Sequence, residues 1–137
     1  MKKYEHIFGV DVSKKTVDIT HARNEQFIHQ QFLNDEAGMS ELMNWLNELD
    51  SNSENSLFCM EATGLYCFPL TRFLAAGSID TWIEHAAQIK KSTALARGKN
   101  DKIDSQRIAV YATKYPDRLR LWKPMDATLD KKSCEPT

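Results

Sequence analysis

The order of apolar and polar stretches predicts an α/β domain, a mixed five-stranded sheet flanked by helices. Two runs rich in β-branched and aromatic residues, Ile7-Phe8-Gly9-Val10-Asp11-Val12 and Leu57-Phe58-Cys59-Met60-Glu61, read as strands buried on both faces, each with an acid at its C-terminal end. Helical spacing lies between and after them, and a right-handed crossover makes the strands it joins parallel. Asp11 and Glu61 should then lie together at the carboxyl edge of the sheet, where open α/β sheets put their sites.

Each element follows from its residues. After the first strand, Ser13-Lys14-Lys15 is a short turn, and Thr16 to His21 alternates polar with apolar as a half-buried strand does, which makes a hairpin. Asn24-Glu25 separates it from Phe27 to Leu33, a third strand more polar than the others and so nearer an edge. Asn34 or Asp35 caps a helix whose apolar positions are Met39, Leu42, Met43, Leu46 and Leu49. Asp50 to Ser56 has no apolar residue and is a loop leading to the strand that ends in Glu61.

Ala62-Thr63-Gly64 turns the chain into a helix from about Tyr66, with Pro69 in its first turn and Gly77 as its C-terminal cap. Ile79 to Glu84 is the fifth strand, and Ala86 to Leu95 a weak helix or ordered loop. A last helix opens at Asp101 and runs through Ile108, Ala109, Val110 and Ala112 to about Lys114, where Tyr115-Pro116 stops it. Residues 1–123 are thus expected to form the domain, and the polar, aperiodic stretch 124–137 a disordered or truncated tail.

Composition narrows the function classes. A chain of 137 residues suits one domain that buries roughly two thirds of its unfolded surface. A net charge of -1 argues against a uniformly basic nucleic-acid binder, so an anionic partner must meet a local patch. Cys59, Cys67 and Cys134 are odd in number and widely spaced, without the paired Cys/His spacing of structural zinc, and reduced thiols in a cytoplasmic protein are expected. No apolar stretch approaches the 18 residues of a membrane span, and the N-terminus does not read as a signal peptide.

The chemistry-bearing candidates are acids. A carboxylate at the end of a buried strand costs several kcal/mol unless a cation or hydrogen-bond donors compensate it. Asp101 and Asp104 are three residues apart at a helix start and share a side. Each acid has a structural alternative: the helix pair as N-terminal caps, Glu61 as a strand-end residue, Asp11 as an Asx-turn. Together they point further, because four carboxylates brought within a few ångströms could not all ionise without divalent cations. Two Mg²⁺ or Mn²⁺ ions about 3.5–4 Å apart would relieve that repulsion and suit phosphodiester cleavage, and oxygen-only ligands favour them over zinc.

From Gln88 to Arg107 six basic residues stand against two acids. Lys90, Lys91, Arg97, Lys99 and Lys102, with Lys14 in the first turn, form either a solvated face or a grip on a nucleic-acid backbone. His85 is a phosphate contact or a solvated loop residue, Asp18 a solvent-facing strand residue, and Trp45 and Trp82 core.

Gly9-Val10-Asp11-Val12-Ser13-Lys14, Met60-Glu61-Ala62-Thr63-Gly64-Leu65-Tyr66 and Lys99-Asn100-Asp101-Lys102-Ile103-Asp104-Ser105, followed by Ile108-Ala109, resemble the N-terminal domain of the DEDD transposases, bacterial insertion-sequence recombinases related to the Piv invertase. The resemblance covers the chain to about Pro124 and implies a RuvC-like, RNase H-type fold in which Asp11, Glu61, Asp101 and Asp104 hold Mg²⁺. It further implies DNA strand cleavage and exchange, a homo-oligomeric assembly, guidance in some members by a structured RNA, and a second domain whose serine attacks DNA. Ser105 stands where the family often has Ala after the last acid. Two rivals remain: a nucleic-acid-binding remnant without chemistry, and an ATPase of the actin and sugar-kinase type. Val12-Ser13-Lys14-Lys15 lacks the glycine such ATPases use to approach a phosphate.

Overall fold

The computed structural model describes residues 4–61, 69–85, 88–89 and 101–122, with 101–104 described by backbone alone. The chain forms β1 (His6–Val12), β2 (Thr16–Arg23), β3 (Gln26–Leu33), α1 (Glu36–Glu48), β4 (Ser56–Glu61), α2 (Pro69–Ala76), β5 (Asp80–Glu84), α3 (Asp101–Lys114), a 3-10 turn (Pro116–Arg118) and β6 (Leu121–Trp122). The strands make one sheet in the order β3-β2-β1-β4-β5-β6. β1 pairs antiparallel with β2 and parallel with β4, and β4 pairs parallel with β5. The five expected strands are present, and the two residues of β6 add an antiparallel sixth on the β5 edge.

Alternation along the strands sorts side chains onto two faces. Phe8, Val10, Val17, Ile19, Phe32, Phe58 and Met60 pack with Met39, Leu42, Trp45 and Leu46 of α1 and with Leu70 and Leu74 of α2. On the other face Leu57, Cys59 and Trp82 pack with Ile108, Tyr111 and Ala112 of α3. With helices on both faces, β2 is buried on both sides rather than half-solvated, and β3 lies at one edge, with Phe27, Ile28 and Leu33 exposed.

Local chemistry sets the ends. Asp35 caps α1 by accepting the Gly38 N–H at 2.8 Å. Met43, expected on the apolar stripe, faces solvent because the buried stripe runs through Met39, Leu42, Trp45 and Leu46. Gly77 caps α2 as expected, Ser78 after it takes the left-handed conformation (φ 56°), and the Ile79 N–H reaches back to the Leu74 carbonyl. Asn24 and Glu25 both have positive φ and make the two-residue turn that the strand twist favours in a hairpin. The expected first turn of α2 from Tyr66, the segment 90–95 and the tail 124–137 lie outside the described residues. No helix among the described residues is long and apolar enough to cross a membrane.

Gly9 fixes how α3 meets the sheet. A Cβ there would sit 2.2 Å from both the Ser105 carbonyl oxygen and the Ala109 backbone nitrogen, so the helix backbone lies directly on β1. At the amino edge of the sheet, Nδ1 of His6 and Nε2 of His21 share a buried hydrogen bond of 2.8 Å, and the two rings stack. Burial, then the neighbouring His6 and Arg23, pushes His21 down to about 4, and burial also lowers His6.

Two predictions follow from this packing. Gly9→Ala must push two backbone atoms of α3 aside, and urea denaturation should show a loss of about 3 kcal/mol or more; a change under 1 kcal/mol would contradict the contact. Because the folded state prefers neutral His21, the unfolded chain binds more protons between pH 6.5 and about 4. Stability is therefore full above roughly pH 6.5 and falls as pH drops towards 4, by on the order of 3 kcal/mol. In His21→Gln the unfolding midpoint should vary far less over that range.

Candidate active site

Register brings acids from four strands into one transverse row. Asp11 and Asp18 are direct partners across β1 and β2, and Glu61 and Glu84 are direct partners across β4 and β5. Asp11 and Glu61 are the residues next after the Val10–Met60 pair, the last of the parallel register between β1 and β4. Partners in register share a face, and this row shares the face of Gly9, Cys59 and Trp82, the one that α3 covers. The expectation that Asp11 and Glu61 meet at the carboxyl edge is met by the backbone.

The start of α3 comes to the same edge. Ser105 is fully buried, and its hydroxyl shares a 2.6 Å hydrogen bond with that of Thr20, the register partner of Gly9. Towards the helix C-terminus, Val110, Thr113 and Lys114 line one cavity with Tyr4 and Ile7 near the start of β1, so α3 runs antiparallel to that strand. From Ser105 back to Asp101 is about 6 Å of helix rise, and from Gly9 on to Asp11 about 6.6 Å of strand. The start of α3 thus lies towards the carboxyl edge of the sheet, and Asp104 immediately precedes the buried Ser105. The side chains of Asp101, Lys102 and Asp104 lie outside the described residues, as do Lys90, Lys91, Arg97 and Lys99 entirely. Lys14 is exposed in the turn after β1, and His85 is exposed after β5.

The flanking acids are held by protein donors. Asp18, expected to face solvent, is 2% exposed. Its Oδ1 is 2.8 Å from His29 Nε2 and accepts from Gln31 Nε2 at 3.2 Å. The polar face of β2 lies against β3 and under α3 rather than in water, which is why the alternation misled. Glu84 accepts the Tyr111 hydroxyl through Oε2 at 2.9 Å and the His85 N–H through Oε1 at 3.0 Å. Glu84 was not singled out in the sequence, although it ends an apolar run just as Asp11 and Glu61 do. Cys59, two residues before Glu61 on the same face of β4, has its thiol pushed up by burial and then by Glu84 and Glu61, and it is therefore an inert, buried thiol.

The donor set at the centre of the row is oxygen-only and suits a hard divalent cation rather than a soft one. Among the described residues no three His, Cys, Asp or Glu side chains gather around one point, and the side chains of the two helix acids lie outside those residues.

Comparison with known proteins agrees with this geometry. The family model of the IS110-type DEDD transposases, described as "Transposase", matches residues 8–131. Among solved structures, the fold is similar to RuvC of T. thermophilus, solved in complex with a Holliday junction substrate. The TM-score is 0.63 at 7% identity, over 87% of this chain and 100% of that one. At that identity the likeness concerns the fold, an RNase H-like α/β architecture. No curated protein matches the sequence.

Proposed function

This chain belongs to the DEDD transposase family, and from that premise we propose that it is the domain that cuts DNA phosphodiesters, with Asp11, Glu61, Asp101 and Asp104 as the acidic tetrad. The observation that supports the reading is the meeting of two acid-bearing strand ends on one face, the face covered by a helix whose first turn carries two more acids in its sequence. A bound Mg²⁺ or Mn²⁺ pair would supply charge neutralisation at the phosphate and an activated attacking oxygen. The residues themselves bind and orient. Strand ends are stiff, so Asp11 and Glu61 offer carboxylate oxygens at fixed spacing, and α3 brings Asp101 and Asp104 from the opposite side.

Lys14, Lys90, Lys91, Arg97, Lys99 and Lys102 are proposed to grip the phosphate backbone around the acids, a contact that orients DNA without reading its sequence. DNA as partner fits this chemistry, and the RuvC neighbour was solved on a branched DNA substrate. Strand transfer, assembly with further copies and guidance by an RNA rest on the family resemblance.

The test is cleavage of branched and duplex DNA with Mn²⁺, comparing the chain with its Asp11→Asn variant. Removing one charge from the tetrad should lower the rate by about a thousandfold, or roughly 4 kcal/mol of barrier, while DNA binding persists. Equal cleavage by both proteins would overturn the assignment. DNA binding without cleavage by either would identify a binding domain that lacks chemistry of its own.

A further inference from the structure

We propose that Glu84, through its hydrogen bond with Tyr111, is a positioning residue that sets the rotation and height of α3, and so of positions 101 and 104 relative to Asp11 and Glu61. The inference rests on the tetrad reading above. It starts from an asymmetry in the row of acids. Glu84 is the register partner of Glu61 and shares its face, yet each of its oxygens is taken by a donor from the chain, the Tyr111 hydroxyl on one and the His85 N–H on the other. Through these bonds Glu84 acts as a post to which α3 is tied.

Tyr111 is fully buried on α3, with its ring 5.4 Å from Trp82 and 5.3 Å from Tyr115. Side chains on a helix lean towards its N-terminus, and the Tyr111 hydroxyl accordingly reaches the carboxyl edge of the sheet from a residue far along the helix. On the other side of the helix axis, Ser105 is bonded to Thr20 of β2. Gly9 lies between these two attachments and sets how closely the helix approaches. A helix held at one point could still turn about its axis or slide, and a slip of a single residue moves every side chain by 1.5 Å and about 100°. Two bonds on opposite flanks remove both freedoms. Thr20–Ser105 ties α3 to β2, and Tyr111–Glu84 ties it to β5.

The test uses the whole chain with Tyr111→Phe, Glu84→Ala and Glu84→Gln, and reads two quantities. One is amide exchange at Ser105 to Arg107 in metal-free protein by NMR; the other is Mn²⁺ affinity by calorimetry. Tyr111→Phe keeps the buried ring and removes only the hydroxyl, so the fold is retained. That variant and Glu84→Ala should speed exchange at the first turns of α3 and weaken Mn²⁺ binding by about tenfold, in the range seen when a supporting partner is removed. Glu84→Gln keeps an oxygen that accepts from Tyr111 and should stay within about twofold of the parent on both readouts.

Unchanged exchange in Tyr111→Phe would overturn the proposal. A Glu84→Gln protein as weak towards Mn²⁺ as Glu84→Ala would also overturn it, because the charge itself would then be what matters. Should the parent chain bind no Mn²⁺, the tetrad reading fails, and the exchange rates still decide whether the clamp exists.

Discussion

The backbone contact between Gly9 and α3 is the constraint on which the rest of the structure depends. Helices usually rest on sheets through layers of side chains, but here the Ser105 carbonyl and the Ala109 nitrogen come so near β1 that no side chain fits between them. At that separation two small hydroxyls, Thr20 and Ser105, can bridge β2 and α3 directly. The same closeness lays the N-terminal half of α3 on the face that carries Asp11 and Glu61. Gly9 stands two residues before Asp11, so the position that lets the helix approach and the position that carries the acid occupy the same face of the same strand.

The row of acids divides by the company it keeps. Like charges in register across a sheet destabilise it by something on the order of 1 kcal/mol per pair, and this row holds two such register pairs, Asp11 with Asp18 and Glu61 with Glu84. At the outer positions the chain supplies its own donors, His29 and Gln31 to Asp18, Tyr111 and His85 to Glu84. Those bonds place structural acids on either flank of the central pair and confine the centre between them. A ligand that neutralises Asp11 and Glu61 therefore enters a site whose walls are already negative and hydrogen-bonded, which favours a small, highly charged cation over a bulky organic one.

Much of this was legible in the residues. Hydrophobic runs ending in acids gave β1 and β4, the crossover rule gave their parallel pairing, and together these brought Asp11 and Glu61 to one edge. Trp45 and Trp82 are core as expected. What could not be read depended on partners distant in sequence. Asp18 looked solvated because alternation reports two faces of a strand but not whether a second layer covers the polar one; here α3 covers it, and His29 and Gln31 of the neighbouring β3 flank the acid. Glu84 gained its meaning only from Tyr111, 27 residues later. Ser78, the residue after the capping Gly77, takes the left-handed conformation that lets the Ile79 N–H close on the Leu74 carbonyl, a detail the residues did not mark.

The two kinds of acid differ in how the chain can hold them. Asp11 and Glu61 ride on neighbouring strands whose hydrogen-bond ladder fixes their separation, so the sheet alone determines that half of the site. Asp101 and Asp104 ride on a helix reached only after the connection from Glu84 to Asp101, and nothing in that connection's length dictates where the helix lands. Precision must come from contacts made after the helix arrives. Gly9, Thr20 and Glu84 supply these contacts from β1, β2 and β5, one for approach and two for rotation and slide. A domain that assembles its acids from both sources therefore needs attachment points beside the site as much as it needs the acids, and in this sheet they lie on the same face.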